Sequence, residues 1–324
     1  VRLVGSEMCI RDSKRPSMHY FRPLYPFLLG LILILSTSTF YSLAALNAVG
    51  QAVLFTLVVC IPIWRTGRMS YVDIGWPWGL VLLGIISLLY SEGYWLRSLI
   101  VSAVVILVGL RMGLGALKMW QLGLLKKEFP RYQYQRIVWG KEGKDNTALA
   151  LQVDAISQGL ANASFLAFPV FIIASNNSEE FLVLEIVGLV IWILAFAMES
   201  IADLQKVRFL KAMKKAGKQR QVCNVGLWKY CRHPNYFAEW MVWNGLVIAA
   251  IPSWLALRGS ETEPMWYLLG LGLLLASRFM YRTLVYITGA VPSEHFSAQK
   301  RPGYTDYQKQ TNRFFPGPSK TLHN

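Results

Sequence analysis

Long apolar runs separated by short polar segments set the architecture of this chain. Continuous stretches such as Leu24–Leu35, Val81–Tyr90, Leu99–Leu110 and Leu182–Ala197 lack the alternation of a half-buried strand. A helix needs about 20 mostly apolar residues to cross the hydrocarbon core of a bilayer. Unbroken rather than alternating apolarity predicts helices and not a barrel. Eight spans are predicted, over 24–45, 49–64, 77–90, 94–115, 149–174, 181–202, 236–257 and 265–288. The expected fold is therefore an all-α integral membrane protein, a bundle of about eight transmembrane helices. Residues 24–64 are nearly continuous, and a turn is placed at Asn47–Gln51 because Asn, Gly and Gln cluster there.

Composition agrees: mean hydropathy is +0.36, and only 16% of residues are charged, fewer than a soluble domain carries. A net charge of +15 raises the question of nucleic acid, but the position of the charge answers it. Loop 65–76 holds Arg65 and Arg68, loop 116–148 has seven Lys/Arg, loop 203–235 has nine, and the tail from 289 has five. The alternate loops 91–93 and 175–180 have none, and 258–264 has one. This positive-inside pattern places both termini in the cytoplasm and the basic loops against anionic membrane lipids, so no nucleic-acid partner is expected. Four cysteines without CxxC spacing and four scattered histidines indicate no metal site. No GxGxxG or P-loop opens a helix, which argues against a Rossmann domain.

Three segments are expected along the chain. Residues 1–17 form a non-native or disordered extension, since the first thirteen lack the apolar region of a signal peptide and Met18 offers a start. Residues 18–288 form the membrane domain, and 289–324 a polar cytoplasmic tail. Charges inside spans cost about 2.5–3.5 kcal/mol at a helix centre, so their positions are informative. Asp73, Arg111, Asp154, Glu199, Asp203, Glu239, Arg278 and Arg282 all fall near the cytoplasmic ends of the predicted helices. Glu199 and Asp203 share one helix face, as do Arg278 and Arg282. Acids gain nothing beside an anionic surface, so acids paired with arginines around a polar cavity explain the set.

The densest constellation runs from Gly226 to Trp240, GLWKYCRHPNYFAEW. Pro234 suits the first turn of a helix, because its missing N–H would be unpaired there in any case. A helix beginning at that point aims free N–H groups and its positive dipole end at the cytoplasm, a site for phosphate or carboxylate. Arg232 and His233 precede it, and Asn235, Tyr236 and Glu239 lie within its first two turns.

At these residues the chain resembles the steroid 5α-reductase superfamily, and most closely its bacterial multispan branch, which is related to isoprenylcysteine carboxyl methyltransferase-like proteins. RHPNYFAEW at 232–240, preceded by GLWKY, is similar to that family's nucleotide-proximal signature. VDIGW at 72–76, GLR at 109–111, ESIADLQ at 199–205 and GYTDYQKQTNRFFP at 303–316 extend the similarity. One departure is Ala238, where the family usually has Gly. The resemblance implies an NADPH-dependent reduction of a carbon–carbon double bond, usually conjugated to a carbonyl, in a lipid-like or steroid-like substrate, in a bacterial inner membrane. It implies that Asn235 and Glu239 contact the nicotinamide half of the cofactor, with Tyr236 beside them. Asp203 with Glu199 belongs to the acidic motif, and Arg232, His233 and Arg278 lie near the phosphates. The steroid-specific enzymes use an acid and a tyrosine to polarise the enone, and Tyr71 and Asp73 are the candidates here.

Two alternatives stay open. Isoprenylcysteine-type and other lipid methyltransferases carry a similar RHP-x-Y signature and use S-adenosylmethionine; the Asn after Pro234 and the acidic motif favour the reductase. A non-catalytic lipid-binding or transport protein would place its ionisable groups nearer the midplane.

Overall fold

The computed structural model describes residues 18–218 and 220–320, and among them all regular structure is helical. The expectation for residues 1–17 lies outside the described residues. Among the described residues eight helices are long and apolar enough to cross a membrane, so the chain is a multispan membrane protein. They are Met18–Leu35, Tyr41–Thr66, Met69–Tyr90, Trp95–Gln121, Thr147–Ala174, Val183–Lys215, Pro234–Gly259 and Glu263–Lys300, called here the first to eighth spans. Two ends can be told apart. At one, Glu261 accepts hydrogen bonds from Ser38 and Thr39, Tyr94 N–H donates to Asn176, and Asn176 donates to Ser253. The other carries the long basic loops and the tail, and is called the basic end.

The fifth span is the most enclosed, with 83% of its apolar window buried against 22–28% for the first, second and sixth. It is broken at Ser164–Leu166, between helices Thr147–Ala163 and Ala167–Ala174. The break diverts the Leu166 N–H to Ala161 and leaves the carbonyl of Asn162 without its usual partner. Asn47 supplies one from the second span, donating from Nδ2 at 3.4 Å. Gln51 donates to Asn47 Oδ1 at 3.1 Å and to the Gly79 carbonyl at 2.8 Å, while Asn162 Nδ2 donates to the Trp76 carbonyl at 2.9 Å. A Cβ on Gly79 would lie 2.2 Å from Asn162 Nδ2, so the glycine makes room for these amides.

This network corrects the predicted turn at Asn47–Gln51. Both residues are fully buried within a helix, and the chain turns earlier, at Ser36–Phe40. The polar pair is there because a broken backbone inside hydrocarbon must be satisfied by other protein groups. Boundaries move elsewhere too. The third span begins at Met69 rather than 77, which puts Asp73 in the first turn of its α-helix. The sixth runs to Lys215 rather than 202, so Glu199 and Asp203 sit inside a continuous helix. The eighth bends through a π-turn at Thr283–Ile287 into the helix Ala290–Lys300. Not all intramembrane charge gathers at the basic end: Arg97 and Glu185 form a buried pair at 3.0 Å near the opposite one.

Small residues let helices touch backbone to backbone, as membrane packing favours. A Cβ on Gly188 in the sixth span would lie 2.4 Å from Ala249 N and 2.6 Å from the Gly245 carbonyl of the seventh. Gly109 meets the Pro77 carbonyl in the same manner at 2.6 Å. Neither neighbour is a flexible side chain. Gly188→Val should therefore cost about 3 kcal/mol or more in reversible unfolding in detergent. Gly115→Ala, at an exposed helical position with nothing within 4 Å, should change stability by less than about 1 kcal/mol. Similar costs for the two would contradict the close-contact account.

Candidate functional site

At the basic end the seventh span starts at Pro234, as its sequence predicts, with His233 at the N-cap and no side chain capping it. Proline has no N–H, and Phe237 is the first residue to donate back, to the His233 carbonyl. The N–H groups of Asn235 and Tyr236 therefore have no acceptor within the helix. Next to this helix start lies a cavity of about 600 Å³. It is walled by the end of the sixth span, the segment from Cys223 to Tyr236, the surface helix Pro130–Lys141, and the tail helices Ala290–Lys300 and Tyr304–Gln310. Tyr134 and His295, with rings 5.1 Å apart, join the two surface helices.

Five cationic side chains line the cavity, Arg131, Lys206, Arg232, Lys300 and Arg301, against the single carboxylate of Asp203. They fall into two kinds. Arg232 is buried and committed: Nε donates to Glu294 at 2.7 Å, Nη2 to the same carboxylate at 3.2 Å, and Nη1 to the carbonyls of Gln308 and Thr311. Arg131 is paired with Asp73. Lys206, Lys300 and Arg301 make no ion pair among the described residues; Lys206 and Lys300 lie over the rings of Trp228 and Phe296 at 4.0 and 5.3 Å.

Of the predicted cofactor residues, Asp203, Arg232, His233, Asn235 and Tyr236 line this cavity. The Asn235 side chain lies beside the Asp203 carboxylate, while its own Oδ1 is buried with no partner. Tyr236 stacks on His233, with ring centroids 5.2 Å apart and planes 2° apart. Glu199 lies behind Asp203, and Arg111 bonds both. Glu239 makes no ion pair among the described residues but lies within electrostatic reach of Arg111, Asp203, Glu199 and Arg131. Arg278 is not brought in: it is exposed on the eighth span and does not line the cavity. Arg232 differs from its expected part as well, since four of its five N–H groups already serve Glu294 and the tail.

The candidates for substrate polarisation sit deeper. Tyr71 packs against the apolar group around Val59 and Tyr132 and lines no part of the cavity. Asp73 reaches the cavity only through Arg131, and it also accepts a hydrogen bond from the Tyr132 hydroxyl at 3.0 Å. Burial, with Asp73 beside it, raises the Tyr132 phenol, which keeps it a donor. Lys206, Lys300, Arg301, Arg131, Tyr132 and Glu294 were not singled out from sequence. A signal existed for Lys206, which follows Asp203 by three positions and so shares its helix face. Glu294 is one of only two acids in the tail, with Asp306, but nothing in its spacing points to Arg232.

Burial holds the His233 imidazole below its ordinary range, and Glu294, with Oε1 3.2 Å from Nε2, offsets this only in part. The folded protein therefore takes up this proton later than the unfolded chain as pH falls. Stability is lost as pH drops through the unfolded value, near 6.5. His233→Gln should flatten the decline in thermal midpoint between about pH 7.5 and 5.5, and an unchanged slope would show that this imidazole does not stay neutral.

The family described as "Protein of unknown function (DUF1295)" matches residues 60–311. That segment holds the last seven residues of the second span, the third to eighth spans and every residue named above as lining the cavity. No curated protein and no solved structure matches. By the extent of that match, the chain is a member of the DUF1295 family.

Proposed function

We propose that this protein is a membrane-embedded, NADPH-dependent reductase of the steroid 5α-reductase type, acting at the cytoplasmic face on a carbon–carbon double bond conjugated to a carbonyl in a lipid-like substrate. The observation that carries this reading is the division of labour among the cavity's cations. Lys206, Lys300 and Arg301 are left unpaired in a partly enclosed space beside an open helix start, which favours a polyanion. NADPH carries a diphosphate and a 2′-phosphate. S-adenosylmethionine, with a sulfonium, an ammonium and one carboxylate, is a net cation that three unpaired positive charges would repel. This favours NADPH of the two cofactors that the RHPNY signature leaves open.

A second observation fits the other half of the cofactor. Asn235, with its side chain beside Asp203, holds a buried, unpartnered carbonyl oxygen, which suits the carboxamide N–H₂ of a nicotinamide. The Asp203–Arg111–Glu199 group keeps Asn235 oriented, and Tyr236, braced on His233, offers a flat apolar wall. NADPH, when bound, supplies the hydride. The chain's part is orientation, charge stabilisation and exclusion of water. Asp73 acts as a positioning group, since it holds Arg131 at the cavity edge. The apolar helices around the site give a lipid-like substrate a route from the bilayer.

Titration of purified protein with NADPH and with S-adenosylmethionine tests this reading. NADPH should saturate and S-adenosylmethionine should not. The double variant Lys300→Gln/Arg301→Gln should weaken NADPH by roughly a hundredfold, at about 1.5 kcal/mol per lost charged hydrogen bond, with a stable fold. Saturable binding of S-adenosylmethionine alone would reverse the assignment.

A further inference from the structure

Arg278 and Arg282 have no part in the cavity, and their surroundings point to another ligand. The eighth span's regular helix, Glu263–Arg282, has 20 residues, about 30 Å at 1.5 Å per residue, which equals the hydrocarbon thickness. Arg282 stands at its basic end and Arg278 one turn, roughly 6 Å, further in. Both are exposed, on the same stripe as Leu271, Leu274 and Leu275, which are 48%, 67% and 40% exposed and so face lipid. Neither arginine makes a hydrogen bond or ion pair among the described residues. An unpaired guanidinium inside the hydrocarbon edge is costly, and the lipid face offers it one counter-ion, a phospholipid phosphate.

The rest of the patch is built to the same purpose. The Tyr281 and Tyr286 rings meet edge-on with centroids 6.2 Å apart, and Arg278 and Arg313 lie within electrostatic reach of the Tyr281 hydroxyl. Phe315, 52% exposed, stacks on Tyr281 at 6.2 Å. Aromatic rings with polar tips beside arginines, at the end of an apolar stripe, match a headgroup above acyl chains. The tail acid Glu294 is already held by Arg232, His233 and Arg313.

We infer that Arg278 and Arg282, with the Tyr281–Tyr286 pair, form a binding site for the phosphate of an anionic phospholipid in the leaflet at the basic end, its acyl chain lying along Leu271–Leu275. This site does not depend on the reductase reading. Full-length protein in neutral detergent, titrated with phosphatidylglycerol and with phosphatidylcholine, provides the test, with bound lipid counted by native mass spectrometry. Phosphatidylglycerol should be retained preferentially. Arg278→Gln/Arg282→Gln should reduce that preference by roughly tenfold or more. Lys214→Gln/Lys218→Gln, at exposed positions elsewhere on the basic end, should leave it intact, and inorganic phosphate should not displace the lipid. Since the arginines are exposed, folding should survive their replacement, and an unchanged thermal midpoint verifies this. An intact preference in the arginine variant, an equal loss in the lysine variant, or displacement by inorganic phosphate would each overturn the inference.

Discussion

The basic end of this molecule is organised around one buried guanidinium. Arg232 faces Glu294 with two nitrogens, gives Nη1 to two carbonyls of the tail, and receives the tail again when its own N–H bonds the Asn312 carbonyl. Gln308 and Arg313 complete Glu294, and Cys231 donates to the Phe314 carbonyl at 3.0 Å. Burial pushes that thiol up to about 11, which keeps it a donor rather than a nucleophile. A buried ion pair returns its desolvation cost only when every remaining donor and acceptor is served. Here they nearly all are. The result is a rigid joint between the start of the seventh span and a tail that would otherwise be a polar strap, and the cavity exists because that joint fixes its roof.

The same logic operates deeper in the bilayer with amides in place of ions. A helix broken inside hydrocarbon exposes carbonyls that lipid cannot satisfy, and Asn47, Gln51 and Asn162 answer that need across three spans. At the opposite end, Arg97 is buried against Glu185 and over the Phe181 ring at 4.4 Å. Amide thus meets amide or carbonyl in one part of the membrane core, and charge meets charge in the other. Among the cations that make no ion pair are Lys206, Lys300 and Arg301 in the cavity and Arg278 and Arg282 on the lipid face, where a mobile anion can reach them.

Much of this was legible in the chain itself, because hydrophobic run length and loop charge report directly on a bilayer. The eight spans and the helix opening at Pro234 follow from those patterns, and the helix face shared by Glu199 and Asp203 follows from spacing. What escaped was whatever depends on contacts between distant segments. Asn47 and Gln51 read as a turn because polar residues in an apolar run signal a break, whereas the break they serve lies over a hundred residues away. Arg278 and Arg282 share a face, but only the packed bundle shows that this face looks out to lipid. Arg232 resembled a free cation because nothing near it in sequence reveals Glu294.

The central claim is that a nucleotide occupies the cavity between the start of the seventh span and the tail. Hydrogen–deuterium exchange of full-length protein in nanodiscs, with and without saturating NADPH, locates it most directly. The account predicts slowed exchange in residues 223–238 and 293–307, the two walls of the cavity, and no change in the opposite-end loop 175–182. Protection confined to other segments, or none at saturation, would contradict it.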